Sequence, residues 1–127
     1  MSAQHLRLYG IDAPENGQSC NLNGKPWPCG QKATSALADK IDRTPVRCEE
    51  KTRDRQMRVI AICALDDSGD VDISAWMVEQ GWALADRQNA QDYVPHETRA
   101  KAGLRGIWAS TFIPPWKWRA QRIGLKK

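Results

Sequence analysis

Apolar and polar positions alternate from the start of the chain. Leu6 and Leu8 flank Arg7, and the run reaches Ile11 before an acidic, proline-locked turn, Asp12-Ala13-Pro14-Glu15. Period-two alternation predicts a strand over 6–11. A loop rich in Asn, Gly and Pro follows, from Cys20 to Cys29. Over 30–42, Ala33, Leu37 and Ile41 recur four apart, which predicts a helix with one apolar stripe, closed by Pro45 because proline cannot donate a backbone hydrogen bond. "VRCEEKT" (46–52) and "RVIAICAL" (58–65) read as strands joined by a charged turn, and "DDSGD" (66–70) as another turn. Residues 72–80 predict a helix with Asp72 as N-cap and Gly81 past its end. "WALA" (82–85) is a short strand, 95–104 a last helix, and "GIWAS" packs back on it. Two adjacent prolines argue against regular helix over 112–118. Strands, a helix, more strands and then C-terminal helices form an α+β pattern around a small barrel, with no internal repeat or linker.

Composition changes this picture little. At 127 residues, with 41% hydrophobic and 27% charged positions, the chain suits one domain with a modest core. No stretch approaches the roughly 18 consecutive apolar residues of a membrane span, and Met1-Ser2-Ala3-Gln4-His5 carries no hydrophobic signal region. Nineteen basic against fifteen acidic residues give a net charge of +4, which permits an anionic partner without demanding one. Much of the excess lies in Lys117, Arg119, Arg122, Lys126 and Lys127, either a solubilising end or a nucleic-acid contact. Of six tryptophans, Trp76, Trp82 and Trp108 have core-like surroundings. Trp27, Trp116 and Trp118 lie in Pro-rich segments, where packing is favoured over stacking on bases.

The four cysteines show no Cys-x-x-Cys metal spacing, and only His5 and His96 could add imidazoles. Two local disulfides fit better: Cys20–Cys29 across the loop and Cys48–Cys63 across the hairpin. That pairing implies an oxidising compartment, hence a secreted or periplasmic protein, with four buried thiols in a reducing compartment as the alternative.

The charged positions carry the candidate chemistry. Asp12 and Glu15 crowd one turn, and Arg53, Asp54, Arg55 and Arg58 crowd another. Arginine is a good phosphate clamp because its planar fork donates two hydrogen bonds and keeps its charge. A phosphodiester attacked by water gains charge on its oxygens, which fixed cations stabilise while a carboxylate orients or deprotonates the water. A second carboxylate could hold a hard cation such as calcium. Taken singly, each residue reads more simply as a turn former or a solvated cross-strand pair.

Their order changes that. "RLYGIDAPE", "DRQMR", "MVEQGWALAD" and "E.RAKAGLRGIW" together resemble the staphylococcal nuclease family, from about Leu6 to Trp108. The resemblance implies an OB-type β-barrel with about three packed helices in residues 1–110, followed by a Pro/Trp-containing basic tail at 111–127. It implies a calcium-dependent phosphodiesterase cleaving DNA and RNA. Arg7 and Arg58 match the catalytic arginines and Glu15 the carboxylate that activates water. Asp12 and the backbone carbonyl of Ala13 match calcium ligands. Asp54 matches a structural acidic residue of the hairpin, and Arg55 and Tyr93 match substrate-side positions. Two departures stand out. Gln56-Met57 replaces the usual Tyr-Gly, and only six residues precede Arg7, where relatives have two further strands and another calcium aspartate. The expectation is an N-terminally incomplete barrel with weak or absent calcium binding and open strand edges that invite self-association. The rival readings are a nucleic-acid- or polyanion-binding module without catalysis and an accessory protein of envelope polysaccharide production. A binder would not need Glu15.

Overall fold

In a computed structural model, which describes residues 6–66, 69 and 71–125, the centre of the fold is a three-stranded sheet. Strand β1 (Leu6–Leu8) runs parallel to β6 (Val59–Leu65), and β6 pairs antiparallel with β5 (Val46–Arg53). The register sets Arg7 opposite Ile60 and Cys48 opposite Cys63. Alternation along β6 buries Ala61, Cys63 and Leu65, residues two apart and therefore on one face. β5 is different: all eight of its residues are exposed.

Helix α1 (Cys29–Ile41) and helix α2 (Ile73–Glu79) supply much of the remaining core surface. The side chain of Asp72 accepts a hydrogen bond from the Ala75 amide at 3.3 Å and caps α2, as its position predicts. Ile73, Met77 and Val78 then pack with Ile11, Leu65, Ala83 and Tyr93. Helix α3 (Val94–Ala102) lies against α2 and leads into a 3-10 helix, Gly106–Ala109. Strand β2 (Ile11–Asp12) pairs with β7 (Leu84–Ala85).

The structure departs from the sequence pattern in three places. The first strand is broken by a turn at Tyr9-Gly10, so β1 and β2 join different sheets. The cysteine loop contains a hairpin, β3 (Cys20–Leu22) with β4 (Lys25–Trp27), turning on Asn23-Gly24. Both turn residues have positive φ, the geometry of a tight hairpin turn that Asn-Gly favours. The basic tail forms a fourth helix, α4 (Pro115–Leu125), so the fold has one helix more than expected. Proline is tolerated there because the first helical N–H has no intrahelical partner to lose. Among the described residues the strands form open sheets and no closed barrel, in keeping with an α+β fold of OB type. Residues 67, 68 and 70 of the "DDSGD" turn lie outside the described residues, as do His5, Lys126 and Lys127.

Both disulfides are formed, Cys20–Cys29 and Cys48–Cys63, and no described cysteine is free. No helix among the described residues is long and apolar enough to cross a membrane.

Candidate active site

A cleft of about 360 Å³ opens at the end of β1, where the chain turns into β2. Arg7, Asp12, Ala13, Glu15, Arg58 and Arg119 line it. They arrive from four separate parts of the chain. Arg7 sits mid-strand in β1, and Asp12 ends β2. Arg58 directly precedes β6, and Arg119 lies one turn into α4. The residues expected to act as catalytic arginines, water-activating carboxylate and calcium carboxylate therefore share one cavity.

Glu15 is held by its backbone. The Gln18 amide donates to the Glu15 carbonyl at 2.8 Å, and the Glu15 amide donates to the Gln18 side-chain oxygen at 3.3 Å. Gln18 is itself 2% exposed, and its Nε2 donates to the Ile113 carbonyl at 2.7 Å. At the start of α1, Gly30 lies so close that a Cβ there would collide with the Glu15 carbonyl. Only glycine admits that approach.

The hairpin presents Arg58 through Asp54. One Asp54 oxygen accepts from the backbone amides of Gln56 and Arg58, each at 2.9 Å, and the other accepts from Arg58 Nε at 2.7 Å. Desolvation pushes the Asp54 carboxyl upward, but these hydrogen bonds outweigh it and hold the group below its ordinary range. With Nε fixed on Asp54 and Nη2 on the Gln56 side chain at 2.9 Å, the Arg58 fork is oriented before any substrate arrives. Met57 at the turn has a positive φ of 63° and is 65% exposed. It takes a left-handed conformation that glycine would enter without strain.

Arg119 reaches this cleft from the C-terminal helix, a contact that no local sequence pattern signals. Its Nη1 donates to Asp12 Oδ1 at 3.0 Å and Glu15 Oε2 at 2.9 Å, while Nη2 donates to Asp12 Oδ2 at 2.6 Å. Both Asp12 oxygens are thus taken by one guanidinium. The Asp12 hydrogen bond, opposed by desolvation and reinforced by Glu15, raises the Arg119 pKa above its ordinary value. Gln18, Gly30 and Arg119 escaped the sequence reading for different reasons. A buried glutamine and a close-packed glycine leave no local pattern, and Arg119 stands more than a hundred positions from its partners.

The other anticipated site residues lie elsewhere. Arg55 lines a neighbouring depression with Arg7, Tyr9 and Asn89. Tyr93 does not line the cleft: it is 4% exposed, and its hydroxyl donates to Asp72 at 2.9 Å. Burial, with that carboxylate beside it, drives the Tyr93 pKa upward, as suits a packing residue. A larger cavity of about 600 Å³ adjoins the cleft, sharing Arg7, Asp12 and Arg119 and adding Arg87, Trp108 and Trp116. Trp76 and Trp82 pack against the core as anticipated, whereas Trp116 is 45% exposed.

Calcium takes six to eight oxygen ligands. Among the described residues no three Asp, Glu, His or Cys side chains converge on one point, and the carboxylate best placed to serve, Asp12, is spent on Arg119. In this arrangement the donor set does not fit the ion.

Comparison with known proteins accords with the geometry. A family model described as staphylococcal nuclease homologue matches residues 5–110. A succinoglycan biosynthesis protein, ExoI, of Rhizobium meliloti is 33% identical over 85% of this chain and 57% of its own length. An uncharacterized endonuclease of Haemophilus influenzae is 34% identical over 91% of the chain and 60% of its own length. A micrococcal nuclease of Shigella flexneri is 34% identical, over 90% and 67% respectively. The chain thus spans about three-fifths of the length of these relatives. With two arginines and a carboxylate gathered in one cleft and the family model covering most of its residues, the chain belongs to the staphylococcal nuclease homologue family.

Proposed function

We propose that this chain hydrolyses phosphodiester bonds in DNA or RNA, with Glu15 as the base and Arg7 and Arg58 as transition-state donors. The convergence of these three side chains on one cleft carries the reading. A substrate phosphate seated between the guanidiniums presents its phosphorus to a water beside Glu15. Glu15 accepts the water proton as the oxygen attacks, and the phosphorus becomes five-coordinate with added charge on its equatorial oxygens. Arg7 and the pre-oriented Arg58 stabilise that charge. The bond to the leaving oxygen then breaks, and that oxygen takes a proton from solvent. Arg55, on the adjoining depression, would steady the neighbouring phosphate of the strand. No step passes through calcium, because the described donors do not fit it. The relatives named as nucleases and endonucleases support this reaction class. Two disulfides support a secreted or periplasmic setting.

The test is digestion of single-stranded DNA by the chain and by Glu15→Gln. Cleavage by the first, reduced about 10²–10⁴-fold in the second with DNA affinity kept, is expected. DNA binding without cleavage in either would replace the enzyme with a binding module. A role beside envelope polysaccharide production rests on the succinoglycan relative alone.

A further inference from the structure

The Arg119 contacts go beyond anything the family match assigns, since α4 lies outside the matched residues 5–110. We propose that Arg119 is the resident cation of the cleft: its guanidinium occupies the position between Asp12 and Glu15 that a divalent ion would need, and so excludes one. The inference rests on reading this cleft as the hydrolytic site, but its test does not depend on cleavage.

The Asp12 side chain is 11% exposed, and a carboxylate so far removed from water requires a compensating charge and hydrogen bonds. Arg119 provides both through a two-pronged fork, and the same Nη1 reaches Glu15, whose side chain is 42% exposed. A divalent ion ligated by these two carboxylates would meet the guanidinium at contact distance, a like-charge approach that only withdrawal of the side chain relieves.

Withdrawal is opposed by the way α4 is fixed. Pro115 at its start is buried, the Ile113 carbonyl just before it accepts from buried Gln18, and Thr111 bridges Asn21 in both directions at 2.8 Å. Beyond Arg119, the Arg122 guanidinium lies over the Trp118 ring at 4.6 Å, which secures the next turn. The cation is therefore built into the fold. It neutralises Asp12 and holds Glu15 from one side, a positioning role rather than a step in catalysis.

Isothermal calorimetry with calcium chloride, on the oxidised 127-residue chain and on Arg119→Gln, provides the test. The unsubstituted chain should show no more than weak, non-saturating heats with calcium, which set the upper limit of its affinity. Arg119→Gln should bind calcium at least about tenfold more tightly than the unsubstituted chain, since the ion no longer breaks a charge-assisted fork. Adding Asp12→Asn to Arg119→Gln should abolish the gain. Equal affinity in the unsubstituted chain and Arg119→Gln, or no gain in Arg119→Gln, would overturn the proposal. The unsubstituted chain gives a second measurement that needs no variant to fold: millimolar calcium should leave its melting temperature unchanged, and a calcium-specific rise would also overturn it. Failure to cleave DNA would refute the proposed reaction while leaving both readouts intact.

Discussion

Arg58 shows how a single side chain is prepared for the role proposed for it. Asp54 fixes its Nε and its backbone amide together, so the outward face of the fork needs little reorganisation to meet a phosphate. Arg58→Lys keeps the charge but cannot reproduce a planar fork held at Nε and Nη2 and offered at Nη1. The expected result is a fall of about 10²–10³-fold in single-turnover cleavage, with the melting temperature nearly unchanged, as Arg58 lies at the surface end of its hairpin. At this scale Arg7, Asp12, Glu15, Asp54 and Arg58 were legible because they sit in short, ordered motifs. Tyr93 was ambiguous, since an aromatic beside a turn reads the same whether it faces solvent or Asp72. Arg119 was invisible as a partner, because nothing near it in sequence reports a contact made across the fold.

Between elements, charge networks do much of the joining. Glu79 on α2 accepts from Arg99 Nε on α3 at 3.0 Å and from Arg105 Nη1 at 3.0 Å, and contacts His96 Nδ1 at 2.8 Å. The Arg99 hydrogen bond, with those of His96 and Arg105, holds the Glu79 carboxyl at about 2, well below the ordinary carboxylate value. Because the folded value is depressed, the contribution to stability is fully present above about pH 4.5 and is lost as pH falls towards 2. Thermal melts of the chain and of Glu79→Gln should therefore differ near neutrality and converge over that acidic window. Helix α1 was readable from its stripe and α2 from its cap, signals that are local. Helix α4 was not, because a proline pair looks the same whether it forbids a helix or begins one. The hairpin inside the cysteine loop could have been read from Asn23-Gly24 had its flanking strands been longer than three residues.

Across the whole molecule, cross-links compensate for thin layers. β5 has no buried residue, and Cys48–Cys63 ties it to the buried face of β6. Closing the 15-residue separation between these cysteines contributes roughly 3 kcal/mol on the chain-entropy account. Reduction should lower the melting temperature by about 10 °C or more, measured by calorimetry with and without dithiothreitol. The second bridge has a different consequence. Cys29 opens the helix whose next residue, Gly30, abuts the backbone of Glu15. A chain still carrying thiols would hold Glu15, the proposed water-activating group, on an unfastened loop. If Glu15 acts as proposed, the chemistry of this cleft would then arrive only with oxidation of the chain.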